Sequence, residues 1–275
     1  MNPPNSCVNL KKAISRLATE DPVRLGREIA NAVLGQMLPE GVVKGGSSLL
    51  FRYGGASARY TRDLDAARVS GEREYAASLE ARLRAGWNGF TGRLAPVAPP
   101  SPPGVPPAYL MRPWDVKLDY LGKAWMTVRI EIGHDEIGDA DSCEREMPED
   151  LAKTFLALGF PRPDGIPVMR LPYQIAQKLH AVTAPGSARA HDLVDLQLIE
   201  ERSRPDLSET AATCRRLFAY RKAQPWPPRV VLAPGWDSIY AGALASLRNR
   251  DGVLAEVSAA VAWTNDFIRR IDEAK

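Results

Sequence analysis

Two aspartates one residue apart, Asp63 and Asp65, follow a glycine pair, Gly45-Gly46, and Ser47. Successive side chains of a strand point to opposite faces, so Asp63 and Asp65 share a face if Arg62–Val69 is extended. Two like charges about 4 Å apart repel by roughly 4 kcal/mol at an effective dielectric near 20. A proton, an arginine or a cation must offset that. A carboxylate-only cluster without nearby His or Cys favours a hard ion, Mg²⁺ or Mn²⁺, over zinc. The glycine pair lets the backbone approach a ligand, and the free N–H groups of a following helix suit an anion. Glu131 offers a third carboxylate, between Ile130 and Ile132 and on the same face as Arg129. A third acid of this kind activates an attacking hydroxyl or holds a second ion. Asp-x-Asp alone more often marks a solvated strand end, and Gly-Gly alone more often turns the chain. Neither a Walker A loop nor a dinucleotide fingerprint is present.

A second cluster lies further along. Lys178 sits at the edge of an apolar helix stripe, and Asp192 falls between Leu196 and Ile199 on the helical wheel. A buried acid needs a partner. Lys178 or Arg189 can supply it, and Asp195 lies one turn away. A snorkelling lysine beside a structural ion pair explains these residues as well as a functional pair does.

The elements that must place these residues are legible in part. Residues 8–19 form a short amphipathic helix. Asp21-Pro22 caps a second helix carrying Leu25, Ile29 and Val33. Val42-Val43-Lys44 reads as a buried strand, Gly45-Gly46-Ser47 as a tight turn, and Ser48–Arg52 as the start of a helix. Ser70 caps a helix ending at Gly86, with acids first and arginines last, as the helix dipole prefers. Residues 115–132 alternate as two strands around Leu121-Gly122-Lys123. The segment 95–107, with seven prolines, reads as an extended spacer. From Pro148 the pattern is helical: 148–158, a helix from Pro172, 190–201, and a last helix over 252–272. The expected fold class is α+β, a mixed sheet core flanked by helices over 1–140 and a helical domain over 145–275.

With 275 residues, a net charge of +3 and three scattered cysteines, the composition is that of an ordinary globular protein of a reducing compartment. No secretory or membrane segment is read, so a cytoplasmic location is expected. The mild charge permits a nucleic-acid partner without arguing for one.

KGGSSLLFRYG followed by RYTRDLD resembles the first motif of the AbiEii/AbiGii toxin-type nucleotidyltransferases. These belong to the polymerase-β-like nucleotidyltransferase superfamily and include mycobacterial MenT toxins. LPYQIAQKLHAV and RAHDLVDLQLI resemble the family's downstream lysine and aspartate helices, and Arg129–Ile132 its third-carboxylate strand. The resemblance implies that Gly46 and Ser47 cradle a triphosphate; Gly45, Thr61, Arg62 and Lys178 are further nucleotide-binding candidates, and Lys44 and Arg129 secondary ones. It implies that Asp63, Asp65 and Glu131 bind Mg²⁺. Lys178 and Asp192 match the essential residues of the helical half, with Arg189 and Asp195 as neighbours. Here Arg189-Ala190-His191-Asp192 replaces the usual Arg-Asp, so Asp192 and Asp195 compete for that role. The implied reaction moves a nucleoside monophosphate from an NTP to the 3′ end of tRNA, blocking translation, beside a cognate antitoxin. These residues are then expected to line one interdomain cleft. Alternatives are a metal-dependent nuclease, a protein-modifying nucleotidyltransferase and a non-catalytic RNA- or protein-binding module.

Overall fold

A computed structural model describes residues 2–98 and 111–274. The spacer expected at 95–107 is covered only at its start, and its residues 99–107 lie outside the described residues. The chain divides into two compact units. The first comprises residues 1–55 and 61–168, the second residues 56–60 and 169–275.

The first unit is built on a seven-stranded mixed sheet. Its strands are β1 (Gly41–Lys44), β2 (Leu64–Arg68), β3 (Phe90–Pro96), β4 (Arg112–Tyr120), β5 (Lys123–His134), β6 (Cys143–Glu146) and β7 (Ile166–Met169). Their order is β3-β4-β5-β2-β1-β7-β6. β1 and β2 run antiparallel, β2 and β5 parallel, and β4 pairs antiparallel with both β3 and β5. The helices of this unit are α1 (Cys7–Leu17), α2 (Pro22–Gln36), α3 (Gly45–Tyr53), α4 (Glu72–Ala85) and α5 (Glu149–Ala157).

Alternation fixes which sheet face is buried. Val43, Leu64, Ala66, Ile130 and Ile132 are almost wholly buried, while Lys44, Asp65, Arg129 and Glu131 are half-exposed on the opposite face. α2 supplies the buried residues Ile29, Ala30, Ala32, Val33 and Leu34. Its first turn is set by Asp21, whose side chain accepts from the Val23 and Arg24 N–H groups at 2.9 and 3.0 Å, with Pro22 at the first position. An aromatic cluster of Trp87, Phe90, Tyr120, Trp125, Phe155 and Phe160 fills the β3–β4 end.

Several expectations need correction. The chain enters α3 directly from β1, so Gly45 and Gly46 are its first turn and not a separate loop. β2 begins at Leu64, which leaves Asp63 just ahead of the strand. Gly71, not Ser70, is the N-cap of α4. β3, β6 and β7 carry no pattern read above. Because β7 pairs with β1 through Val43 and Val168, the first unit extends to 168 and includes α5, past the boundary expected at 140–145.

The second unit is helical: α6 (Leu171–Val182), α7 (His191–Ser203), α8 (Leu207–Arg221), α9 (Trp236–Ala245) and α10 (Val257–Glu273). Ile175, Leu179, Leu193, Leu196, Ile199, Leu217, Phe267 and Ile271 form its core. No helix among the described residues is long and apolar enough to cross a membrane.

Candidate active site

In the first unit the candidate residues meet where β1, β2 and β5 lie side by side. Lys44 is paired in register with Asp65, and Asp65 with Glu131. The three side chains therefore form a row across adjacent strands on the half-exposed face. Neighbouring positions in such a row stand roughly 5 Å apart at Cβ, close enough for two carboxylates to share an ion. One step along β5, Arg129 donates to Asp115 of β4 at 2.7 Å. That hydrogen bond, with the nearby charges of Asp115, Asp63 and Glu131, raises the arginine's pKa. Asp63 and Glu131 thus both lie in the field of Arg129.

Gly45 is required twice over at this point. Its φ of +64° is unfavourable for any residue with a Cβ, and a Cβ there would stand 2.1 Å from Asp65 Oδ2. The Asp65 carboxylate therefore rests against the first residue of α3, where the helix dipole favours negative charge. Ser47 is fully buried, and its hydroxyl donates to the Asp63 backbone carbonyl at 2.8 Å. Thr61 Oγ1 donates to the same carbonyl at 3.2 Å. Both hydroxyls hold the backbone of Asp63. Arg62 and Asp63 are exposed.

Among the described residues no three His, Cys, Asp or Glu side chains stand close enough to enclose a metal ion. The oxygen donors nevertheless fit Mg²⁺ or Mn²⁺. Magnesium is commonly held by one or two carboxylates, with water and substrate phosphates completing the shell. The Asp65–Glu131 pair supplies that number.

The helical unit holds its own buried charge cluster. Lys178 on α6 is 4% exposed and donates to Asp192 Oδ1 at 2.8 Å and Asp195 Oδ2 at 2.6 Å, both on α7 and both fully buried. Arg189 donates to the other oxygen of Asp192 at 2.8 Å, and Arg59 to the other oxygen of Asp195 at 2.9 Å. Burial works to raise the Asp192 pKa, but Lys178, Arg189 and His191 outweigh it and hold the carboxyl well below its usual range. For Asp195, burial is likewise outweighed, by Arg59 and Lys178. Burial, helped by Arg59 and Arg189, lowers His191 to about 4 against the pull of Asp192 and Asp195. Both aspartates thus bind the lysine. No sequence pattern points to Arg59. Its partner is 136 residues away, and no local pattern announces such a contact.

Over residues 25–266 the sequence matches the family described as nucleotidyl transferase AbiEii toxin, type IV toxin–antitoxin system. The chain belongs to the AbiEii nucleotidyltransferase toxin family. The fold is shared with MenT4, a nucleotidyltransferase toxin from Mycobacterium tuberculosis H37Rv, at 18% identity and a TM-score of 0.57, covering 96% of this chain and 94% of that one. JHP933 from Helicobacter pylori matches at 14% identity and a TM-score of 0.45, over 90% of each chain. No curated protein sequence matches. As an AbiEii-type chain it is a nucleotidyltransferase of the toxin class, with the α+β architecture expected for it.

Proposed function

We propose that this nucleotidyltransferase moves a nucleoside monophosphate from an NTP to the 3′ end of tRNA and so blocks translation, with a cognate antitoxin to restrain it. The observation that carries the reading is the Asp65–Glu131 pair, set side by side in strand register, with Asp65 against the first residue of α3. In this reading Asp65 and Glu131 would hold Mg²⁺ or Mn²⁺, with Asp63 exposed just ahead of the strand. When bound, the ion neutralises charge on the phosphate oxygens as it builds in the transition state. The first-turn N–H groups of α3 face the triphosphate. Ser47 and Thr61 act through Asp63, whose carbonyl they fix. An acceptor hydroxyl attacks the α-phosphorus, its proton passes to one of the carboxylates, and the bond to the β-phosphate oxygen breaks to release pyrophosphate. Lys178, Asp192 and Asp195 enter the reading through the sequence resemblance alone. The RNA acceptor is supported by the sequence resemblance.

The test incubates the protein with each labelled NTP, Mg²⁺ and total tRNA. Label should enter RNA, and Asp63→Ala and Asp65→Ala should each lower its rate by about 100-fold or more. Label on protein would overturn the RNA acceptor. Shortened RNA without any NTP would replace the reading with a nuclease.

A further inference from the structure

Lys44 is the last residue of β1, directly opposite Asp65, which is itself opposite Glu131. Its side chain runs on across the same face. A Cβ on Gly133 would stand 2.9 Å from Lys44 Nζ and 3.7 Å from its Cε. The ammonium therefore lies over the bare backbone of β5, two residues beyond Glu131. Gly133 has no need of a positive φ; what it provides is space. Among the described residues no carboxylate oxygen stands within 4 Å of this ammonium, and it makes no hydrogen bond. One acid that feels its charge is Asp139, which is buried. Burial and a hydrogen bond with Asp135 push Asp139 up to about 8, so near neutral pH it holds a proton and does not neutralise the lysine.

Lys44 is half-buried as a residue, and a lysine seeking only solvent would extend away from the sheet. Here the ammonium lies at Gly133, on the sheet face that carries Asp65 and Glu131, the two carboxylates best placed for a cation. An anion bridging to a cation held by Asp65 and Glu131 would give the ammonium a partner. We propose that Lys44 binds the phosphates of the nucleotide, and that Gly133 lacks a side chain so that the ammonium can lie there. A compact ammonium is a usual phosphate partner. The inference rests on the nucleotidyltransferase reading above and adds a binding residue to it.

The experiment compares full-length wild type with Lys44→Met, Lys44→Arg, Gly133→Ala and the Lys44→Met/Gly133→Ala pair. Calorimetry measures affinity for inorganic pyrophosphate and for each Mg-NTP, and label transfer gives KM and kcat. Lys44→Met should weaken pyrophosphate and NTP binding by about tenfold or more, the loss expected for a charge-assisted hydrogen bond. KM should rise by more than kcat falls, and Lys44→Arg should recover most of the loss. Gly133→Ala, by displacing the ammonium, should weaken binding by a smaller factor. It should add nothing in the Lys44→Met background. If Lys44 merely offsets the repulsion of Asp65 and Glu131, its removal leaves pyrophosphate affinity unchanged and tightens Mg²⁺ binding. That result, in an active wild type, overturns the inference. A wild type that binds no NTP and transfers no label overturns the functional reading itself, and this inference with it.

Discussion

Lys178 shows what a single buried charge organises. Three cations, Lys178, Arg59 and Arg189, face two fully buried aspartates, and each carboxylate is held by the lysine and one arginine. Replacing Lys178 with Met leaves two buried carboxylates with half their partners. Breaking such a pair costs on the order of 3 kcal/mol. Urea unfolding of Lys178→Met should show a loss of that size, so activity must be compared per folded molecule. An unchanged unfolding midpoint would mean that the arginines alone satisfy both acids. The inward position of Asp192 was legible, because a wheel places it between apolar neighbours. Arg189, three residues away, was legible as a partner. Arg59 was not: it precedes the Asp-x-Asp motif, and only the fold carries it to Asp195.

At the scale of elements, β4 and β5 announced themselves through alternation, and β1 through a short apolar run. β6 is Cys-Glu-Arg-Glu, without an apolar face. Arg52 of α3 pairs with its Glu144 and with Glu146 at 3.3 Å, contacts invisible in a local window. β7 has a proline and one register partner, and β3 contains a glycine and ends in a proline, residues that read as breakers. The loop after β5 holds a further device. Asp135 accepts from Gly138 and Ala140 N–H groups, and Asp139 accepts from Glu136 N–H. Burial and the Asp135 hydrogen bond raise Asp139 to about 8. Burial would raise Asp135 too, but its hydrogen bonds lower it. From about pH 4 upward an unfolded Asp139 gives up its proton, while the folded one keeps it until about pH 8. Its contribution to stability is therefore full below pH 4 and lost as pH rises through that window. Asp139→Asn retains both hydrogen-bonding roles without the proton. It should stabilise the protein by about 2 kcal/mol or more at pH 8 and by less at pH 5, measured by urea unfolding at the two values. Equal effects at both would contradict a shared proton.

For the whole molecule, the mild net charge of +3 hides an uneven distribution. The helical unit carries 16 Lys and Arg against 12 Asp and Glu, while the sheet unit carries 20 against 21. Composition alone could not place that excess, because the division of the chain depends on β7 reaching back to β1 and on residues 56–60 joining the helical unit. The α+β class and the carboxylate strands were readable from periodicity, and family membership followed from short motifs spread along most of the chain. The central claim is that the Asp65–Glu131 pair of the sheet unit supports transfer of the α-phosphoryl group with its nucleoside. The most direct measurement supplies RNA with NTP labelled either at the α- or at the γ-phosphate, together with Mg²⁺, and counts the pyrophosphate formed. The account predicts that α-label enters RNA with one pyrophosphate released per nucleotide added, that γ-label never does, and that Asp65→Asn and Glu131→Gln each abolish both signals while remaining folded. Entry of γ-label into RNA, or transfer that survives loss of both carboxylates, would contradict it.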